Sequence, residues 1–140
     1  MNYKIIGKYI KDLNFNIPNP KTFFLLSKDI TNYKINIDIK SNQVKPNIIE
    51  VLTTLNLTPT RNDFERINTK IIFATVVELS DKKKIDRNEM EKIILIDVPS
   101  SIYSELRTIF VSLFENSGFK EVNISKSVDF KKLYETRKIQ

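Results

Sequence analysis

The chain has 140 residues, enough for one domain with a real core, and its two glycines and five prolines exclude a loop-rich or low-complexity protein. It contains no cysteine and no histidine, which removes disulfides, thiolate metal sites and the commonest metal ligand and general base. A formal net charge of +6 favours acidic partners, yet the lysines are interleaved with acids, so solubility is their expected role.

The N-terminal stretch MNYKIIGKYIKD is broken by Lys4, Lys8 and Lys11, so it does not read as a secretory signal. No run approaches the roughly 20 apolar residues of a membrane span. A soluble, cytoplasmic protein without membrane insertion is expected. Residues 3–17 alternate, with Tyr3, Ile5, Tyr9, Leu13, Phe15 and Ile17 on one face, and predict a half-buried strand ended by Pro18 and Pro20. Residues 21–28 hold Phe23, Phe24, Leu25 and Leu26, an apolar plug of about one helical turn. Residues 33–40 alternate cleanly, with Ile35, Ile37 and Ile39 against Asn36, Asp38 and Lys40, and Ser41–Pro46 reads as a turn. Residues 48–58 predict a third strand carrying Ile49, Val51, Leu55 and Leu57 on one face. A polar loop follows over 58–68. Residues 70–79 are apolar on both faces, which suits a central strand, and 80–89 form a charged connection.

Residues 89–118 organise the rest. Ile93, Ile94, Leu95, Ile96 and Val98 form an apolar ribbon, read as an extended arm ending at Pro99. Beyond it, Ile102, Leu106, Ile109, Phe110 and Leu113 recur at helical spacing, widened by Tyr103 and Phe114. Pro99 suits a first helical turn and Gly118 the residue after the last one. Residues 123–127 read as a loop and 128–137 as a terminal helix, with Asp129 at its positive end. The fold class is therefore α+β: a single domain over 1–140, with a four-stranded antiparallel sheet packed by one long helix and a short C-terminal helix. The helix stripe is wide and one long helix does not fully cover a sheet face, so self-association is expected.

The sequence carries no catalytic constellation, glycine-rich phosphate loop or nucleophile elbow, and the expectation is a protein without enzymatic activity, metal or cofactor. The lysine runs 82–84 and 131–132 read as solubilising faces. Nucleic acid is not the expected partner, since no strand carries an RNA-recognition signature. A basic, sheet-based RNA-binding module remains the alternative from another class.

Four ordered stretches resemble the SecB family of protein-export chaperones. Tyr9-Ile10-Lys11-Asp12-Leu13-Asn14-Phe15 followed by Pro18-Asn19 matches its first strand. Ile37-Asp38-Ile39 and Ile49-Glu50-Val51 sit where the family has L-D-L and Y-E-V. Met90 to Pro99 follows the family's L-E-P-I-L-L-I-E-C-P, and Arg107 falls on the arginine of L-F-P-[FY]-A-R. Gly118-Phe119, Val122-Asn123-Ile124 and Val128 to Tyr134 echo G-F-P-P-L-N-L and I-N-F-x-A-L-Y. The chain departs at Ser104, where the family has proline, and at Lys120-Glu121, where it has Pro-Pro. The family's G-I-F at the end of the fourth strand is also missing.

The resemblance implies an ATP-independent chaperone that binds unfolded precursor polypeptides and keeps them export-competent. It implies a homotetramer, a dimer of dimers, with apolar grooves between elements. Client-binding candidates are Ile37, Ile39, Ile94, Ile96 and Phe119. Asp12 is the candidate for docking SecA, the export motor, though Asn16 stands where the family has a second acid. Ser104, Thr108, Ser112 and Glu115 lie away from the helix stripe and are the candidate contact between dimers. A relative of this family can also serve one dedicated client, such as an antitoxin, and that alternative is kept.

Overall fold

The computed structural model describes residues 2–29, 33–59, 67–80, 85–119 and 124–139. Residues 60–66 of the expected loop over 58–68, the lysine run 82–84 and residues 120–123 lie outside them. Four strands, β1 (Tyr3–Asn16), β2 (Tyr33–Lys45), β3 (Ile48–Pro59) and β4 (Asn68–Leu79), form one antiparallel sheet in the order β1-β4-β3-β2. The doubly apolar strand β4 is central, paired on both sides. Helix α1 (Pro20–Asp29) lies between β1 and β2. After β4 come α2 (Arg87–Lys92), a π-helical segment (Ile93–Asp97), α3 (Val98–Asn116) and α4 (Phe130–Ile139).

The core lies between α3 and one face of the sheet. Ile102, Leu106, Phe110 and Phe114 of α3 are fully buried and pack with Leu55, Leu57, Ile71 and Phe73 of β3 and β4. A second cluster joins Ile49, Val51, Val77 and Leu79 of the sheet to Ile93 and Val98. Ile109 and Leu113, at the edges of the stripe, are half-buried. Helix α3 stops in a Schellman motif: the Phe119 N–H donates to the Phe114 carbonyl at 3.1 Å and the Gly118 N–H to that of Glu115 at 3.2 Å. Gly118 sits at φ 98°, and a Cβ there would also meet the Phe23 ring at 3.3 Å.

Four expectations need correction. The stretch 93–98 is helical, not an extended arm. Pro99 does not divide the region but falls in the first turn of α3, continuous with the π segment. Its missing N–H would orphan the Leu95 carbonyl of a plain α-helix, and the wider turn absorbs that defect. The plug over 21–28 is a helix of 10 residues. Asn19 caps it, its side chain accepting from the Thr22 N–H at 2.8 Å, and Pro20 opens it. Strand β2 runs on to Lys45 through the expected turn at 41–46, because pairing with β3 extends it where no burial pattern does. Finally, β1 does not alternate strictly. Bulges between Ile5 and Gly7 and between Ile10 and Asp12 switch its faces twice, so Tyr9 opposes Ala74 on the outer side while Lys8 and Ile10 turn towards the helices.

Under the helices, the hydroxyls of Thr53, Thr69 and Thr75 are buried without a hydrogen-bond partner among the described residues. A buried, unsatisfied hydroxyl costs about 1–3 kcal/mol. Thr53→Val should therefore raise stability by about 1 kcal/mol in urea unfolding. A loss would mean that the hydroxyl is satisfied in solution.

Candidate functional site

A cleft opens along β2, the edge strand nearest the π segment. Ile37 and Ile39 of β2, Leu95 of the π segment, and Leu133 and Tyr134 of α4 line it as a shallow depression open to solvent. Its walls follow from local chemistry. The Asp129 carboxylate accepts from the Lys132 N–H at 3.0 Å and starts α4. Phe130 is buried against Tyr103, ring centroids 5.9 Å apart, and pins α4 to α3. Tyr134 donates its hydroxyl to Glu91 of α2 at 2.7 Å, which holds that phenol protonated above the ordinary tyrosine range. The segment before α4 is tied to α3 by the Tyr103 hydroxyl on the Ser125 carbonyl at 2.8 Å and by Arg107 Nε on the Ile124 carbonyl at 3.1 Å. Arg107 thus anchors the C-terminal segment.

These lining groups include no nucleophile or general base. What they can do is take up apolar side chains, at roughly 25 cal/mol per Å² removed from water. Of the candidates from sequence, Ile37 and Ile39 meet in the cleft. Ile94 is half-buried and packs against the second core cluster. Ile96 is half-buried beside it, but the residue that reaches the cleft is Leu95. Phe119 is 3 % exposed and belongs to the core, its ring 5.0 Å from Phe23 and 5.6 Å from Phe114. Sequence reasoning did not assign Leu95, Leu133 and Tyr134 to the site. The helical spacing of Phe130, Leu133 and Tyr134 was visible, but not that Leu133 would remain 42 % exposed.

Asp12 is exposed on the outer side of β1, opposite Ile72, and accepts a 3.5 Å hydrogen bond from Asn14. Ser104, Thr108, Ser112 and Glu115 are all exposed on α3; the Thr108 hydroxyl donates to the Ser104 carbonyl and Asn116 to Ser112. The outer sheet face carries one more polar cluster. Glu50, buried on β3, accepts from the Tyr9 hydroxyl and, at 2.9 Å, from Lys11 Nζ, an interaction that spans β4. Hydrogen bonds from Tyr9 and then Lys11 outweigh burial and hold its carboxyl below its ordinary value of 4.5. A carboxylate depressed in the folded state contributes stability above its unfolded value and loses it as pH falls through the folded one. Below pH 4.5 the wild type should lose stability that Glu50→Gln lacks at every pH, so the two melting curves should converge towards acid. A gap between them independent of pH would exclude this linkage.

A four-stranded antiparallel sheet with helices on one face, an open outer face and an apolar cleft beside an edge strand defines an α+β protein with a surface suited to apolar side chains. The whole chain, residues 1–140, matches the family "Preprotein translocase subunit SecB". It is 41 % identical over 136 residues to a putative protein-export protein SecB of Pelagibacter ubique, covering 97 % of this chain and 96 % of that one. It is 23 % identical to the protein-export protein SecB of Anaplasma phagocytophilum, covering 94 % and 90 %. The fold matches a SecB-like chaperone of Mycobacterium tuberculosis, solved in complex with a ChAD peptide from an antitoxin, at a TM-score of 0.62 and 10 % identity, covering 91 % and 88 %. The chain belongs to the SecB family, the chaperones of protein export.

Proposed function

We propose that this chaperone binds unfolded precursor polypeptides in the cleft between β2, the π segment and α4, and keeps them export-competent in the cytoplasm. The observation that carries the reading is an open cleft lined by Ile37, Ile39, Leu95 and Leu133, with only the Tyr134 hydroxyl as a side-chain polar atom, already engaged by Glu91. Ile94, Ile96 and Phe119, the other candidates, act from behind as packing. Binding is passive, by burial of apolar side chains, and uses no nucleotide, cofactor or catalytic group.

The working form is a homotetramer, a dimer of dimers, of four 16.4 kDa chains. Two features support it. Edge strand β1 leaves Ile6, Tyr9, Ile10 and Leu13 between 42 and 47 % exposed, more apolar surface than an edge usually leaves open. Ser104, Thr108, Ser112 and Glu115 supply a polar helix face for the second contact. Repeating the cleft four times adds avidity towards a long client.

SecA association is at most weak and includes Asp12. The outer sheet face offers few free acids: Glu50 is held by Lys11, and Glu78 by Lys4 at 3.3 Å. Service to one dedicated client is the second reading, favoured by the antitoxin peptide bound to the mycobacterial chaperone of the same fold. The test is light scattering of a slow-folding client diluted from denaturant, without nucleotide. Suppressed aggregation at stoichiometric tetramer is the expected outcome. Undiminished aggregation of every client would defeat the general reading, and suppression of one cognate client alone would favour the second.

A further inference from the structure

The helical run from Arg87 to Asn116 is not uniform. Across Ile93–Asp97 the bonding steps from i−4 to i−5, and the Val98 N–H donates to the Ile93 carbonyl. Such turns are rare and are found frequently at functional sites. Its effect here is specific. In an α-helix, residues five apart point about 140° away from each other. Ile93 and Val98 are five apart, yet both are buried in the same cluster, at 4 % and 0 % exposure. An α-helix would instead bring Asp97 round beneath Ile93, and Asp97 is exposed. Pro99, which cannot donate to Leu95, favours the wider turn.

The same burial would be reached by a chain one residue shorter, with Ile93 and Val98 at helical spacing. What the extra residue adds is a fourth position between the two buried ones, so that among the half-buried Ile94, Leu95 and Ile96 the middle member lines the cleft while Ile94 packs on the core. We propose that the π turn is a client-presenting device, which holds Ile93 and Val98 in the core while setting Leu95 into the cleft as a contact for an apolar client side chain. The proposal rests on reading the cleft as the client site. It assigns Leu95, and neither of its isoleucine neighbours, to the client, and it assigns the extra residue of the turn to binding.

The experiment uses the full-length protein and a permanently unfolded probe, reduced and carboxymethylated α-lactalbumin, with binding followed by fluorescence anisotropy at physiological salt. Deleting Leu95 removes the extra residue. The deletion should fold, with a melting temperature within a few degrees of wild type, and bind the probe at least threefold more weakly. Leu95→Ala keeps the turn and should weaken binding about fivefold. Ile94→Ala should mainly lower the melting temperature, because Ile94 packs on the core. A deletion variant that binds like wild type would overturn the proposal. So would one that unfolds, since the turn would then serve the fold, and so would Leu95→Ala with unchanged affinity. A wild type that fails to bind the probe would instead defeat the client reading itself.

Discussion

Phe114→Ala should cost about 3–5 kcal/mol of stability, measured by urea unfolding at fixed protein concentration. Phe114 is fully buried, and its ring meets Phe15 at 4.9 Å, Phe110 at 5.3 Å and Phe119 at 5.6 Å. It joins β1, the middle of α3 and the residue that closes the Schellman motif. No neighbour can collapse into the space without leaving its own contacts, so the cavity persists. Against a total of about 5–15 kcal/mol, the loss is a third or more of the stability over much of that range. A change below about 1 kcal/mol would mean that this aromatic cluster is not the core of the protein in solution.

Leu133→Asp should have the opposite profile. Leu133 lines the cleft but is still 42 % exposed, so a carboxylate there keeps much of its water and costs the fold little. The other residues of the cleft, Ile37, Ile39, Leu95 and Tyr134, offer it no cationic partner. A client side chain entering beside it would strip that water, so affinity for an unfolded polypeptide should fall at least tenfold, about 1.4 kcal/mol. The check is a paired thermal melt and binding titration. Ile39→Asp is a poorer probe, because Ile39 also packs against the second core cluster and the two effects would mix.

The architecture was legible in the sequence because its signals are periodic. Alternation over 33–40 and 48–58, the doubly apolar run 70–79 and the helical stripe from Ile102 to Phe114 each correspond to an element. Legibility failed where geometry departs from a single period. Two bulges in β1 reverse the side of Tyr9 while leaving its hydrophobicity unchanged, so alternation alone cannot reveal them. The unbroken run Ile93–Ile96 has neither strand nor helix period. It read as an arm because Pro99 suggested a boundary, yet a π turn accommodates both the run and the proline. Strand β2 beyond Lys40 is polar on both faces at a sheet edge and is defined by its partner alone. The start of α1 was the one miss with a visible signal, since Asn19 followed by Pro20 is a cap and first-turn pair.

The lining of the candidate cleft was partly legible for the same reason. Ile37 and Ile39 share a face by strand alternation, and they share the cleft. Ile94 and Ile96 were placed on an extended arm that is helical here, and Leu95 between them is the residue that lines the cleft. Phe119 is held in the core by its part in ending α3, a contact fixed by the position of Gly118. Leu133 and Tyr134 reach the cleft only because Phe130 and Glu91 orient α4, and those partners are distant in sequence.

Where clients sit can be read by placing a photo-reactive phenylalanine analogue at position 133 and, separately, at position 70 on the outer sheet face. Each protein is irradiated with an unfolded, radiolabelled precursor and again with its folded form. Cross-links from position 133 to the unfolded chain, absent from position 70 and from the folded form, are the expected result. Cross-linking from position 70 with none from position 133 would place the client on the other side of the sheet and contradict the cleft as the binding site.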